Sequence, residues 1–212
     1  VLDTIRRIIA MKHKAPGNDL CSAILAVCPP DKQNESFIIS LIVLLFYAGH
    51  QNMMNFMGNA LIALHGKTKE QAMLRESLPF AIESVDELIR YDSPLQEILL
   101  VTQEEINLHG NNIPAGSQLL INVGAANRDP AKFKNPDQLI LTRKSSHLGF
   151  GTGSFRCIGA RLAQIQGGIG LHRFFTYVSS YVTVQDSVSW SNFSVQRGPC
   201  SVLLDIKWTY EK

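Results

Sequence analysis

The sequence predicts a mainly α-helical protein with small β-sheets, and three observations carry that reading. Helical patterns dominate the first part, over Leu2 to Lys14, from Glu35 to about His65, and from Pro79 to about Arg90. Short alternating stretches are confined to Ile98–Val123 and to a tail through Tyr181–Val184 and Cys200–Trp208. The 212 residues are 45% hydrophobic and 18% charged with a formal net charge of +2, which suits a globular core and excludes disorder and nucleic-acid binding. No internal repeat or low-complexity tract is present.

The first helix is expected to end near Ala15-Pro16-Gly17, and a second to run from Asp19 to Val27, stopped by Pro29-Pro30. The apolar run Phe37 to Gly49 is shorter than the roughly 20 residues a bilayer span needs, and is expected to be a buried helix. With no signal-peptide pattern at the start, the expectation is a cytoplasmic chain with no membrane contact. A short helix over Thr68–Leu78 is expected to be capped by Thr68, and Pro79 to open the next. On that helix Glu87 and Arg90, three apart, share one face. Turns are expected at Gly110-Asn111-Asn112 and Pro114-Ala115-Gly116, then a loop-like stretch over Lys132–Lys144. The last helix is read from Ala160 to Phe175, with Ile158, Leu162, Ile165 and Ile169 on one side and Gly167, Gly168 and Gly170 weakening it. A closing hairpin follows.

Of the four cysteines, Cys21 and Cys28 read as small core residues and Cys200 as structural, with no zinc-like spacing. Cys157 is different. It lies in HLGFGTGSFRCIGARLAQ, residues 147–164, between Gly149, Gly151 and Gly153 on one side and Gly159 on the other. Glycines leave little bulk beside the sulfur, so a flat ligand could lie against the backbone. The helix start that follows suits an anionic sulfur, able to serve as axial ligand of a haem iron.

Phe150-Gly151-x-Gly153-x-x-x-Cys157-x-Gly159, continuing into Leu162-Ala163, resembles the haem-binding loop of the cytochromes P450. Two further signatures precede it in the right order. Ala48-Gly49-His50-Gln51-Asn52 resembles the family's oxygen-groove segment, and Glu87-x-x-Arg90 followed by Tyr91-Asp92-Ser93-Pro94 resembles its Glu-x-x-Arg helix in bacterial-type members. Ala126-Asn127-Arg128-Asp129-Pro130 resembles the approach to the family's meander. The resemblance implies a single domain over 1–212 with a long central helix (about 35–65), a Glu-x-x-Arg helix (about 79–90), a β region (about 98–123), a meander (about 128–146), the cysteine loop (147–159), and a final helix and hairpin (160–212). It corresponds to the C-terminal half of the family fold; the missing half would leave apolar surface uncovered.

The implied function is a monooxygenase that inserts one oxygen atom from dioxygen into a small organic substrate, with electrons from a ferredoxin or flavoprotein reductase. The implied cofactor is haem b with Cys157 as axial thiolate, and the N-terminal half is an implied partner. Ala48, Gly49, Phe150, Gly151, Gly153, Phe155 and Gly159 are implied beside the cofactor, Gln51 and Asn52 at the oxygen, and Glu87, Arg90 and Arg128 in the supporting core. Arg156 and Arg161 are candidate contacts for an acidic partner. Five positions depart from the family. Gln51 and Asn52 replace the acid and threonine of the proton relay, Leu100 and Phe155 replace basic propionate partners, and Gln138 stands where a basic residue completes the Glu-Arg core. These departures motivate a second reading, a degenerate helper or binding protein or an inactive fragment. Peroxide-driven oxidation is a third, since it would bypass the relay.

Overall fold

The computed structural model describes residues 2–28, 34–144, 146–184 and 187–209. They fall into two compact units, Val1–Gln51 and Asn52–Lys212. The boundary lies within one continuous helix.

In the first unit, α1 (Leu2–Lys14) packs on α2 (Leu20–Val27), and the first half of α3 (Glu35–Leu64) follows. Asp19 is the N-cap of α2 rather than its first residue, accepting the Ser22 N–H at 2.9 Å and pairing with Lys12 at 2.6 Å. Ile5, Ile9, Leu25, Ile38 and Ile39 form the core, against which Cys21 and Cys28 pack half-buried. Burial pushes the Cys21 thiol up, as suits a cysteine in an apolar setting. Pro29-Pro30 lies outside the described residues.

The apolar run expected to be buried is instead largely exposed. Only Ile38 and Ile39 are buried, whereas Phe37, Leu44, Phe46 and Tyr47 face outward, Phe46 at 71%. Polar Gln51, Asn52 and Asn55 do not break the helix, because an isolated polar side chain leaves the backbone ladder intact. The 30-residue α3 is long and apolar enough to cross a membrane by length and composition, a property shared by core helices of soluble proteins.

In the second unit the remainder of α3 joins α4 (Thr68–Glu76), α5 (Leu78–Tyr91) and the long α7 (Ala160–Tyr177) around Phe56, Leu64, Leu74, Val85, Leu171 and Phe175. Thr68 is not a cap: Lys67 holds that position with no side-chain bond, and Thr68 is already helical. The cap falls one helix later, where the Ser77 hydroxyl accepts the Phe80 N–H and Pro79 sits in the first turn of α5.

Strands β1 (Glu97–Val101) and β4 (Gln118–Asn122) pair antiparallel around the hairpin β2 (Ile106–Leu108) and β3 (Asn111–Ile113). The two-residue turn His109-Gly110 has positive φ at both positions (51° and 83°), the geometry that matches strand twist. Short α6 (Val123–Ala126) leads into the meander. At the tail, β5 (Val178–Thr183) pairs with β8 (Leu204–Trp208), and β6 (Ser189–Trp190) with β7 (Pro199–Ser201). Cys200 in β7 is exposed.

The buried side of α7 is not the one expected. Ile158, Leu162 and Ile169 are exposed, and the buried residues are Ala160, Gly167, Gly168, Leu171 and Phe175. The glycines allow close helix crossing: a Cβ on Gly168 would lie 2.5 Å from the Ile82 Cα and 2.7 Å from its nitrogen. Backbone cannot yield as a side chain can. Gly168→Ala is therefore expected to destabilise by about 1–3 kcal/mol despite alanine's better helix propensity. A urea midpoint at or above that of the parent would refute the close crossing.

Candidate functional site

Glu87 and Arg90 lie on the buried face of α5, at 3% and 1% exposure. Arg90 Nε and Nη2 meet the two carboxylate oxygens at 2.7 and 3.0 Å, a bidentate pair. The remaining donors are also used. Arg90 Nη1 donates to the Asn127 and Pro136 carbonyls, both at 2.9 Å, and Nη2 to the Gln138 carbonyl at 3.1 Å. Glu87 also accepts the Ile140 N–H at 2.9 Å. Such full satisfaction is what makes a buried ion pair tolerable.

The expectation that Gln138 takes a basic residue's place is corrected. Gln138 contributes only its backbone, and the cation is Arg143, whose Nε reaches the Glu87 carboxylate at 3.1 Å while its Nη atoms bond the Lys134 and Asn135 carbonyls. Arg143 lies five residues beyond the position examined in sequence, in a stretch with no periodicity to mark its direction. Arg128 fixes the other side of the meander. Its Nε donates to the Tyr91 carbonyl at 3.0 Å, Nη1 pairs with Asp137 at 2.8 Å, and its guanidinium covers the Tyr91 ring at 4.1 Å.

The cysteine loop is built directly on this core. Asn127, whose carbonyl serves Arg90, turns its side-chain oxygen to the Leu148 N–H at 2.8 Å. His147 Nδ1 accepts the Gly149 N–H at 3.0 Å, and its Nε2 stands 3.3 Å from Asp86 Oδ1. Gln164 on α7 donates to that same oxygen at 2.8 Å. Burial raises the Asp86 carboxyl, but the hydrogen bonds from His147 and Gln164, with the charges of His147 and Arg156, outweigh it and hold the group below its ordinary value. Asp86, Asn127, His147 and Gln164 had no assigned role in the sequence reading, because the bonds from Asn127 to Leu148 and from His147 and Gln164 to Asp86 span 21 to 78 positions and leave no periodic trace.

Within the loop, the Phe150 carbonyl accepts the Cys157 N–H at 2.7 Å, after a helical turn at Gly153–Phe155. The glycines act differently from the expectation that all clear space beside the sulfur. Gly151 has φ +70°, and a Cβ there would lie 2.4 Å from the Phe155 carbonyl oxygen; one on Gly149 would strike Ile89. Only Gly153 opens on free space, and Gly159 has the Cys157 sulfur 3.8 Å from its missing Cβ. Cys157 is exposed, flanked by Phe155, Ile158 and Leu162 at 74%, 93% and 58% exposure. A thiol sulfur outside an ordered turn, framed by uncovered apolar side chains, suits a flat, largely apolar group such as haem, which Cys157 would hold. Arg156 faces outward in the exposed loop.

The other predicted residues lie on α3. Ala48, Gly49 and Gln51 belong to the first unit and Asn52 opens the second, with the helix continuous through them. Ala48 and Gly49 are exposed, and a Cβ on Gly49 would meet nothing within 4 Å. Leu100 lies in β1 opposite Leu119.

The cytochrome P450 family pattern matches residues 42–189. A putative cytochrome P450 133B1 from Xylella fastidiosa (strain 9a5c) is 34% identical over 203 residues, 94% of this chain and 50% of that protein. The biotin biosynthesis cytochrome P450 of Bacillus subtilis (strain 168) is 32% identical over 97% of this chain and 47% of its own length. Among solved structures, P450BioI in complex with an acyl carrier protein ligated to hexadec-9Z-enoic acid superposes with a TM-score of 0.86 at 29% identity, over 97% of this chain and 53% of that one. CYP109Q5 from Chondromyces apiculatus gives 0.87 at 28% identity, over 98% and 54%. The fold is that of the C-terminal portion of the cytochrome P450 fold. The chain belongs to the cytochrome P450 family. It spans about half the length of the curated relatives it matches.

Proposed function

We propose that this chain carries the haem-ligating half of a cytoplasmic monooxygenase, with Cys157 as axial ligand of haem b. The observation that carries the reading is the exposed Cys157 sulfur on a loop tied through Asn127 to the buried Glu87–Arg90–Arg143 network. When bound, haem supplies the redox chemistry for inserting one oxygen atom of dioxygen into a small organic substrate, with electrons from a ferredoxin or flavoprotein reductase. Phe150, Gly151, Gly153, Phe155 and Gly159 shape the sulfur's side of the cofactor. Ala48 and Gly49 are assigned to the oxygen groove from the family resemblance alone, as its small residues. Asn52 acts there as hydrogen-bond partner or holder of a water, because Gln51 cannot titrate. The exposed apolar face of α3 is proposed to be covered by an N-terminal P450 half.

The test is a carbon monoxide difference spectrum of the haem-reconstituted chain, alone and with an N-terminal half from a bacterial relative. A long-wavelength Soret band in either condition is expected, and its appearance only with the added half would show that the two halves share the cofactor. The absence of haem uptake in both would favour a second reading, a catalytically retired binding protein. Gln51, Asn52, Leu100 and Phe155 motivate that alternative, since each lacks the acidic, hydroxyl or basic group the haem chemistry uses elsewhere in the family.

A further inference from the structure

Residues 148–157 contain one helical turn and no strand, so their position depends on side chains that reach in from elsewhere. Two such contacts act on consecutive amides. Asn127 takes the Leu148 N–H and His147 takes the Gly149 N–H, immediately before Phe150, whose carbonyl holds the Cys157 N–H. The His147 ring is almost fully covered, its side chain 6% exposed, and it tilts against the Phe150 ring at 5.6 Å between centroids. Because Nδ1 accepts a hydrogen bond from Gly149, the proton of the neutral ring is on Nε2, where it is donated to Asp86. The far end of the loop returns to the same atom, since Gln164 lies one turn into α7 and donates to Asp86 Oδ1.

We infer that His147, held as the Nε2–H tautomer, is a positioning residue for Cys157, and that one carboxylate oxygen of Asp86 fastens both ends of the cysteine loop. The functional part of this inference rests on the reading of Cys157 as haem ligand; the clamp itself does not. Ordering the loop before the cofactor arrives reduces the conformational freedom lost when the sulfur is engaged.

The test uses the full chain with and without haem. In the haem-free protein, long-range proton–nitrogen spectra are expected to show His147 as the Nε2–H tautomer. Amide exchange at Cys157 is expected to rise up to about tenfold in His147→Ala, the scale of one lost hydrogen bond. His147→Asn keeps an acceptor near the Nδ1 position but cannot span to Asp86, and His147→Gln reaches Asp86 but loses the Gly149 bond; each is expected to rescue the alanine effect in part. Asp86→Ala, which frees both ends, is expected to match or exceed His147→Ala. After haem loading, the thiolate share of the carbon monoxide spectrum is expected to fall in the same order. An Nδ1–H tautomer, or Cys157 exchange unchanged across the series, overturns the clamp. If His147→Ala does not fold, the asparagine and glutamine variants decide. A parent that takes up no haem either alone or with the added N-terminal half defeats the proposed function, while the haem-free measurements still judge the clamp. A full thiolate band in every folded variant overturns the positioning role and leaves the proposed function standing.

Discussion

Replacing Cys157 by serine is expected to remove the long-wavelength Soret band of the haem–carbon monoxide complex completely while leaving the fold intact. The sulfur is exposed, so little packing is lost, and the residue's N–H and carbonyl keep their bonds to Phe150 and Ala160. The stability change should stay within about 0.5 kcal/mol, as for surface substitutions generally. A serine hydroxyl does not ionise near neutral pH and donates far less electron density to iron than a thiolate. Substrate oxidation should fall to the background of free haem. Serine at 21, 28 or 200 should leave the band unchanged, since two of those cysteines are half-buried in the first unit and the third lies in β7. Persistence of the band in Cys157→Ser would rule out this sulfur as the ligand.

Arg90→Met is expected to be the most destabilising single change in the second unit. It leaves the Glu87 carboxylate buried with only Arg143 as a cationic partner, and breaking a buried pair costs about 3–5 kcal/mol. It also removes the donors to the Asn127, Pro136 and Gln138 carbonyls. Against a total stability on the order of 5–15 kcal/mol, that is a large share of the margin against unfolding. The double variant Glu87→Met/Arg90→Met separates two accounts. Were this an isolated pair, apolar replacement of both partners would restore stability. Because the Asn127 and Pro136 carbonyls and the Ile140 N–H lose their partners as well, and the Gln138 carbonyl keeps only the bond from Arg143, the double variant is expected to recover little. Urea midpoints decide, and a double variant as stable as the parent would reduce the network to a dispensable pair. Arg143→Met, at a position nearer solvent, should cost less, about 1–3 kcal/mol.

The fold class was legible because local patterns carry it. Caps, prolines and turn residues act within a few positions, so Pro79 marks the start of α5 and Gly110 the hairpin, although the cap is Ser77 and the turn is His109-Gly110 rather than Gly110-Asn111-Asn112. The placement of Cys157 on an exposed loop was legible as well. What escaped depends on tertiary direction. The run Phe37–Gly49 has the composition of a core helix, yet Phe46 and Tyr47 face outward, and composition does not say what covers a helix. Gly167 and Gly168 look like propensity defects until Ile82 and Phe56 are seen pressed against them. Arg143 and His147 act through backbone groups and carboxylates far away in sequence, and no spacing rule points from Arg143 to Glu87 or from His147 to Asp86.

The meander and the cysteine loop share a dependence that bears on the order of folding. Leu2–Lys14, Leu78–Tyr91 and the His109-Gly110 hairpin close through contacts a few residues long and can form early. The stretch from Asn127 to Cys157 contains little regular structure, and its fixed points, Glu87, Arg90, Asp86 and Tyr91, all lie on one helix 37 to 61 positions upstream. It has nothing to dock on until α5 is formed and packed. The cysteine loop is accordingly expected to become ordered only after α5 has formed and packed, because the groups that fix it lie on that helix.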